Sequence, residues 1–231
     1  MIRQQHIAEQ LQIVRARIAA AAQACGRDPA SVRLLAVSKS FPAADLRAAQ
    51  AVGQDCFGES YLNEALPKIA ALTDPAPEWH FIGPLQSNKT RAIAEHFAWV
   101  HGVDRLKIAE RLDAHRPARL PPLNLCIQVN ISGEASKSGV RLEELGALAR
   151  SITPLPRLRL RGLMAIPAPS DAVSEQRAAF RQLRLAFDEL IAQGLPLDTL
   201  SMGMSDDLEA AIAEGATIVR IGSAIFGARD P

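Results

Sequence analysis

The stretch "LLAVSKSFPAADL" (34–46) carries an apolar run that finishes on a lysine, Lys39. Side chains alternate along a strand, so Leu35, Val37 and Lys39 share one side of it. A lysine there either marks the exit of the strand into solvent, where lysine is usually found, or supplies a nucleophilic amine to a carbonyl carbon. Partial burial depresses the pKa of such an amine and makes its neutral form available. Near the other end of the chain, "SMGMSDDLEAA" (201–211) places Gly203, Met204 and Ser205 ahead of a helix that begins at about Asp206. "VRIGSAIFG" (219–227) places Gly222 and Ser223 directly after an apolar run. Small residues let backbone N–H groups approach phosphate oxygens, and serine hydroxyls donate to them. Taken singly, each stretch also reads as an ordinary Gly/Ser turn. Arg220 interrupts the apolar run "TIVRIGSAIFG" (217–227) and shares a face with Ile218 and Gly222. A buried guanidinium must find an acceptor, either a carboxylate or a ring nitrogen of a cofactor.

The elements that must position these residues alternate in type. "HIAEQLQIVRARIAAAAQACG" (6–26) sets Ile7, Leu11, Val14 and Ile18 at helical spacing and ends on Gly26 as a C-cap. Strand-like runs follow at 32–39, 55–60, 78–84, 97–104, 123–132, 158–167, 198–204 and 217–227, with amphipathic helical segments between them. Eight such units predict an α/β fold, a single (β/α)8 TIM barrel over residues 1–231 with an extra N-terminal helix. An open doubly wound sheet fits the same periodicity. In a barrel, Lys39 and the loops after strands seven and eight meet at the C-terminal face, where such folds commonly bind phosphate.

Composition narrows the function classes. Lys and Arg number 26 against 25 Asp and Glu, for a formal net charge of +1 with no polybasic block. That removes the footprint of a nucleic-acid binder, and 4% aromatic residues leave little for base stacking. Cys25, Cys56 and Cys126 are widely spaced and fit a reducing compartment. No stretch approaches the ~20 apolar residues that span a bilayer. The N-terminal segment, broken by Arg3, His6 and Glu9, lacks a signal pattern, so the expected location is cytoplasmic. His96 and His101 have no carboxylate spacing typical of a metal site, and no metal is assigned. Asp206 and Asp207 read as helix-capping residues. Lys89 reads as a solvent-facing helix residue. Lys137 follows strand five and reads as a loop lysine or an alternative cofactor amine.

A lysine, a phosphate cradle and an inward arginine together describe a site for pyridoxal 5'-phosphate. Arginine stays protonated, so it donates to the ring nitrogen and leaves it unprotonated. The ring is then a weak electron sink, which disfavours transamination and leaves racemase-like chemistry or plain carriage. A cofactor-free aldolase using Lys39 on a sugar phosphate is the alternative from another class. Racemisation or decarboxylation needs acid/base groups at the reacting carbon, and the chain has one tyrosine, Tyr61.

The segments "AVSK", "FGES", "WHFIGPLQSNK", "LRGLMAIP", "LSMGMSDDLEAAI" and "VRIGSAIFGAR" closely resemble the pyridoxal phosphate homeostasis protein family, also called proline synthase co-transcribed proteins. The resemblance runs from about residue 5 to the C-terminus. It implies a barrel like the N-terminal domain of alanine racemase, with pyridoxal 5'-phosphate held by Lys39 as an internal aldimine. It further implies a phosphate cradle at Ser205, Gly222 and Ser223, Arg220 at the ring nitrogen, and Met164 near the cofactor. His80 and the "FGE" turn line the same mouth by this resemblance, and Val37, Ser60 and Met204 are grouped with them. Ser60 stands where an asparagine is expected after "FGE", and it offers one short donor in place of an amide. The implied role is cofactor carriage in vitamin B6 and amino-acid homeostasis, without established turnover. The implied state is a monomer, with pyridoxal-phosphate-dependent apoenzymes as recipients.

Overall fold

In the computed structural model, which describes residues 2–134 and 138–228, every apolar run named above contains a strand. These are β1 (Arg33–Val37), β2 (Cys56–Glu59), β3 (Glu78–Phe81), β4 (Trp99–Val103), β5 (Leu123–Gln128), β6 (Leu158–Met164), β7 (Thr199–Ser201) and β8 (Ile218–Ile221). All pair in parallel in sequence order, and β8 returns to β1, closing a barrel. The open-sheet alternative is therefore excluded. The helices are α1 (Ile2–Ala24), α2 (Ala43–Gln50), α3 (Leu62–Ala71), α4 (Thr90–His96), α5 (Leu106–His115), α6 (Leu142–Ile152), α7 (Val173–Ala192), α8 (Leu208–Ala213) and α9 (Ser223–Phe226).

Alternation along the strands divides the apolar residues between two places. Leu35, Cys56, Trp99, Cys126, Met164 and Ile218 fill the interior in one cluster. Leu34, Ala36, Phe57, Trp79, Val100, Leu125, Leu163 and Val219 face the helices in another. The strands read as continuous apolar runs because both of their faces are covered.

Helix α1 buries the stripe read from its sequence, Ile7, Leu11, Val14 and Ile18, each worth about 1.5–3 kcal/mol. It packs on α2, α8 and α9, the helices that flank the β8–β1 seam. Arg3 donates to the Asp45 carboxylate and the Phe226 carbonyl, and Arg27 donates to the carbonyls of Ile212 and Ala216. The helix thus straps the seam where the barrel closes. Gly26 ends the turn beyond it at φ 67°, a conformation that favours glycine.

Several boundaries differ from the sequence expectation. The run at 217–227 is a strand only to Ile221, and Ser223–Phe226 turns into α9. Strand one stops at Val37, so Lys39 sits in the following turn, where Ser40 has φ 69°. The helix expected from about Asp206 begins at Leu208, and the Asp207 carboxylate turns back to accept from the Met204 N–H instead of capping α8.

Two glycines test the packing in opposite directions. A Cβ at Gly162 would lie 1.7 Å from the Thr199 carbonyl oxygen on the neighbouring strand. A Cβ at Gly146, inside α6, would meet only the flexible end of Arg150 at 3.4 Å. Gly162→Ala is expected to destabilise the fold by about 3 kcal/mol or more. Gly146→Ala should stabilise it by about 0.5–1 kcal/mol. Urea unfolding midpoints measured on both variants check the pair, and a neutral Gly162→Ala would refute the close approach.

Candidate functional site

At the C-terminal ends of the strands a cleft of about 210 Å³ is lined by Val37, Lys39, Ser60, Met204, Ser205, Arg220, Gly222 and Ser223. The sequence alone had named each of them. Ile82, Ile166 and Asp206 also line it. The two isoleucines went unrecognised because each is one apolar residue at the end of an apolar run. Larger grooves of about 600 Å³ between α6 and α7, and about 660 Å³ beside Phe41, lie elsewhere.

The turn that presents Lys39 is held on both sides. Lys68 of α3 donates to the Ser38 carbonyl at 2.8 Å, and Glu64 of the same helix accepts from the Ser40 N–H at 2.7 Å. Lys68 also donates to Glu59 Oε1 at 2.8 Å, and the Ser38 hydroxyl donates to that oxygen at 2.6 Å. Glu59 is fully buried, and its other oxygen has no partner among the described residues. Burial pushes the Glu59 carboxyl up, against the downward pull of Lys68 and Ser38. Sequence reading missed this cluster, although Glu64 and Lys68 stand four apart on an amphipathic helix, a spacing that places them together.

The two small-residue loops come together across the mouth. Gly203 has φ 95°, and a Cβ there would lie 2.6 Å from that of Ala211. A Cβ on Gly222 would approach the Val37 carbonyl oxygen to 3.1 Å. Both positions keep the backbone close to β1 and α8. The hydroxyl oxygens of Ser205 and Ser223 consequently stand 3.3 Å apart, a separation at which one anionic oxygen can accept from both.

Arg220 is 4% exposed and lines the floor of the cleft. Its Nη1 donates to the carbonyl and hydroxyl oxygens of Ser201, and its Nη2 donates to the Ala165 carbonyl at 2.9 Å. Among the described residues it forms no ion pair, and its Nε makes no hydrogen bond. Burial lowers its pKa to about 10, with Asp207 opposing the shift, so it remains charged at neutral pH.

One residue expected at the mouth does not reach it. His80 is fully buried inside the barrel, 2.9 Å from His101 and 2.9 Å from Glu78, and does not line the cleft. Its side chain points inward from a strand, among partners that satisfy both ring nitrogens, so it has no reason to be at the rim. Met164 belongs to the interior apolar cluster with Leu35 and Trp99. Lys137 lies outside the described residues.

Comparison with known proteins supplies the lineage of this arrangement. The family model described as "Alanine racemase, N-terminal domain" matches residues 10–230. A Pseudomonas aeruginosa protein named pyridoxal phosphate homeostasis protein is 66% identical over 97% of this chain and 96% of its own. The chain belongs to that family. A protein of the same name from Escherichia coli K12 is 56% identical over 97% of both chains. The structure of PipY from Synechococcus elongatus with PLP bound superposes with a TM-score of 0.84 at 41% identity, covering 96% of this chain and all of PipY. Ser60 is nearly buried at the cleft, and its hydroxyl makes no hydrogen bond among the described residues.

The Lys68 cluster generates a stability prediction. Lys68→Met leaves the buried Glu59 carboxylate unpaired and should cost about 3–5 kcal/mol. Adding Glu59→Gln to that variant should recover a measurable part of the loss. Thermal unfolding of the single and double variants checks this. Strict additivity of the two changes would mean that the pair does not interact.

Proposed function

We propose that this protein holds pyridoxal 5'-phosphate on Lys39 and carries it, taking part in vitamin B6 and amino-acid homeostasis without turnover of its own. The observation that carries the reading is the cleft itself. An amine, a pair of hydroxyl donors and the uncommitted Nε–H of a buried arginine all line one small space. These groups fit the three polar ends of the cofactor, and the PLP-bound structure of PipY supports pyridoxal phosphate as the ligand. When bound, pyridoxal phosphate supplies an electron-withdrawing ring conjugated to a carbon that an amine can hold.

The chain's own residues then have distinct tasks. Lys39, fixed through Ser38 and Ser40, offers its amine at the strand end. Ser205 and Ser223 donate to phosphate oxygens, and the close backbone approach at Gly222 keeps that cradle tight. Arg220 donates through Nε to the ring nitrogen. Because a guanidinium does not surrender its proton at neutral pH, the ring stays unprotonated and draws electrons weakly. Carbanion chemistry also needs a second proton-transfer group opposite the lysine. Tyr61 is 49% exposed and does not line the cleft. Carriage follows from this set better than racemisation or decarboxylation.

The rim residues Met204 and Ile166 are 38% and 41% exposed. We read that open apolar rim as the face through which the cofactor reaches recipient apoenzymes. Among the described residues no helix is long and apolar enough to cross a membrane. The proposed working form is a cytoplasmic monomer with one barrel domain over residues 1–231.

The absorbance spectrum of the purified protein, taken before and after borohydride with peptide mass analysis, tests the assignment. Wild type should carry a visible band, Lys39→Ala should lack it, and reduction should attach the cofactor mass to Lys39. A wild type without the band, or reduction onto another lysine, would overturn the proposal.

A further inference from the structure

A line of polar groups runs through the barrel interior from Arg220 to the opposite end. The Arg220 guanidinium donates to Ser201 Oγ at 2.8 Å. Ser201 Oγ lies 2.7 Å from His101 Nδ1, and His101 Nε2 lies 2.9 Å from His80 Nδ1. His80 Nε2 lies 2.9 Å from Glu78 Oε1, which Arg33 also approaches. Ser201, His80 and His101 are fully buried, and His80 stacks on Trp99 with ring centroids 5.4 Å apart. Glu78 and Arg33 reach solvent at the far end, with side chains 34% and 38% exposed.

The chemistry of the two ends leaves one arrangement of protons. A guanidinium only donates, and an ionised carboxylate only accepts. Burial alone would raise Glu78, but the hydrogen bonds from His80 and Arg33 and the charge of Arg33 hold its carboxyl below the ordinary carboxylate range, which keeps it ionised. Glu78 therefore requires a proton on His80 Nε2. A neutral His80 then accepts at Nδ1, which requires a proton on His101 Nε2. His101 in turn accepts at Nδ1, so the Ser201 hydroxyl donates to it and accepts from Arg220. Burial pushes both histidines below their ordinary value, which keeps them neutral.

We infer that Ser201, His101 and His80 are positioning residues for Arg220. The acceptor-only Glu78 and the donor-only Arg220 set a single direction along the chain, which aims a lone pair of Ser201 at the guanidinium and leaves Nε for the cleft. A histidine that donated at Nδ1 would occupy the other lone pair of Ser201 and leave the hydroxyl hydrogen without this acceptor, so its direction would no longer be fixed. The functional consequence rests on the reading of Arg220 as the group that faces the cofactor ring; the order of protons does not.

Nitrogen-15 histidine spectra of the full chain at pH 7, without and with added pyridoxal phosphate, test the chain directly. His80→Gln and His101→Gln assign the signals. Both rings should be neutral and protonated at Nε2. An imidazolium, or an Nδ1–H tautomer at either ring, would overturn the inference. A second arm uses Ser201→Ala and Ser201→Thr. Loss of the hydroxyl should speed cofactor release about tenfold, the worth of one hydrogen bond, and shift the bound absorbance band, while threonine restores both. If Ser201→Ala lowers only the melting temperature, with release and band unchanged, Ser201 is merely structural and the positioning role falls. A wild type that binds no cofactor would refute the carrier reading instead, with the tautomers still deciding the order of protons.

Discussion

Closure of the sheet through β8 on β1 is the constraint on which everything at the cleft depends. The pairing sets Leu35 beside Arg220 and Ala36 beside Ile221. Residues from opposite ends of the chain thereby share one height in the barrel. The turn after β1 carries Lys39, and the segment after β8 carries Gly222 and Ser223, so the lysine and one of the two cleft hydroxyls come to line the same space. A slip of one residue would turn Arg220 out of the barrel, because side chains alternate. Helix α1 secures that register from outside by lying on α2, α8 and α9, with Arg3 and Arg27 tying into the seam.

Placing charges inside such a barrel is expensive unless each is partnered. Two different solutions appear. Around Lys39, the ion pair of Lys68 with Glu59 is combined with backbone contacts, so the same charges that compensate each other also hold the turn. Arg220 forms no ion pair among the described residues, although the Asp207 charge acts on it. Carbonyls take part of the guanidinium, and a chain of neutral groups connects it to a distant acid. The first solution keeps the lysine's backbone still; the second leaves a donor on the arginine uncommitted.

These two devices bear on a carrier differently from an enzyme. Carriage asks for a pocket that receives the cofactor in one orientation and does little to its ring. On the proposed reading of the cleft, a rigid turn, two hydroxyls and a cation that does not give up its proton would meet that demand. The exposed rim of Met204 and Ile166 keeps the mouth accessible.

Much of this was legible in the sequence by itself. Apolar runs with helical segments between them dictated a parallel α/β fold, because a strand covered on both faces must be apolar throughout. Lys39, Ser205, Arg220, Gly222 and Ser223 stood out because polar and small residues at the ends of such runs have few structural reasons to be there. Tertiary structure alone decided the rest. The closed barrel, and not an open sheet, follows from the long-range β8–β1 pairing, which local periodicity does not encode. Whether His80 lay at the mouth or in the interior depended on its height and its contacts with Glu78 and His101, residues that meet only across strands. The Lys68–Glu59 pair escaped notice for the same reason. Each residue is ordinary in its own segment, and its role arises from desolvation and partners that exist only once the chain has folded.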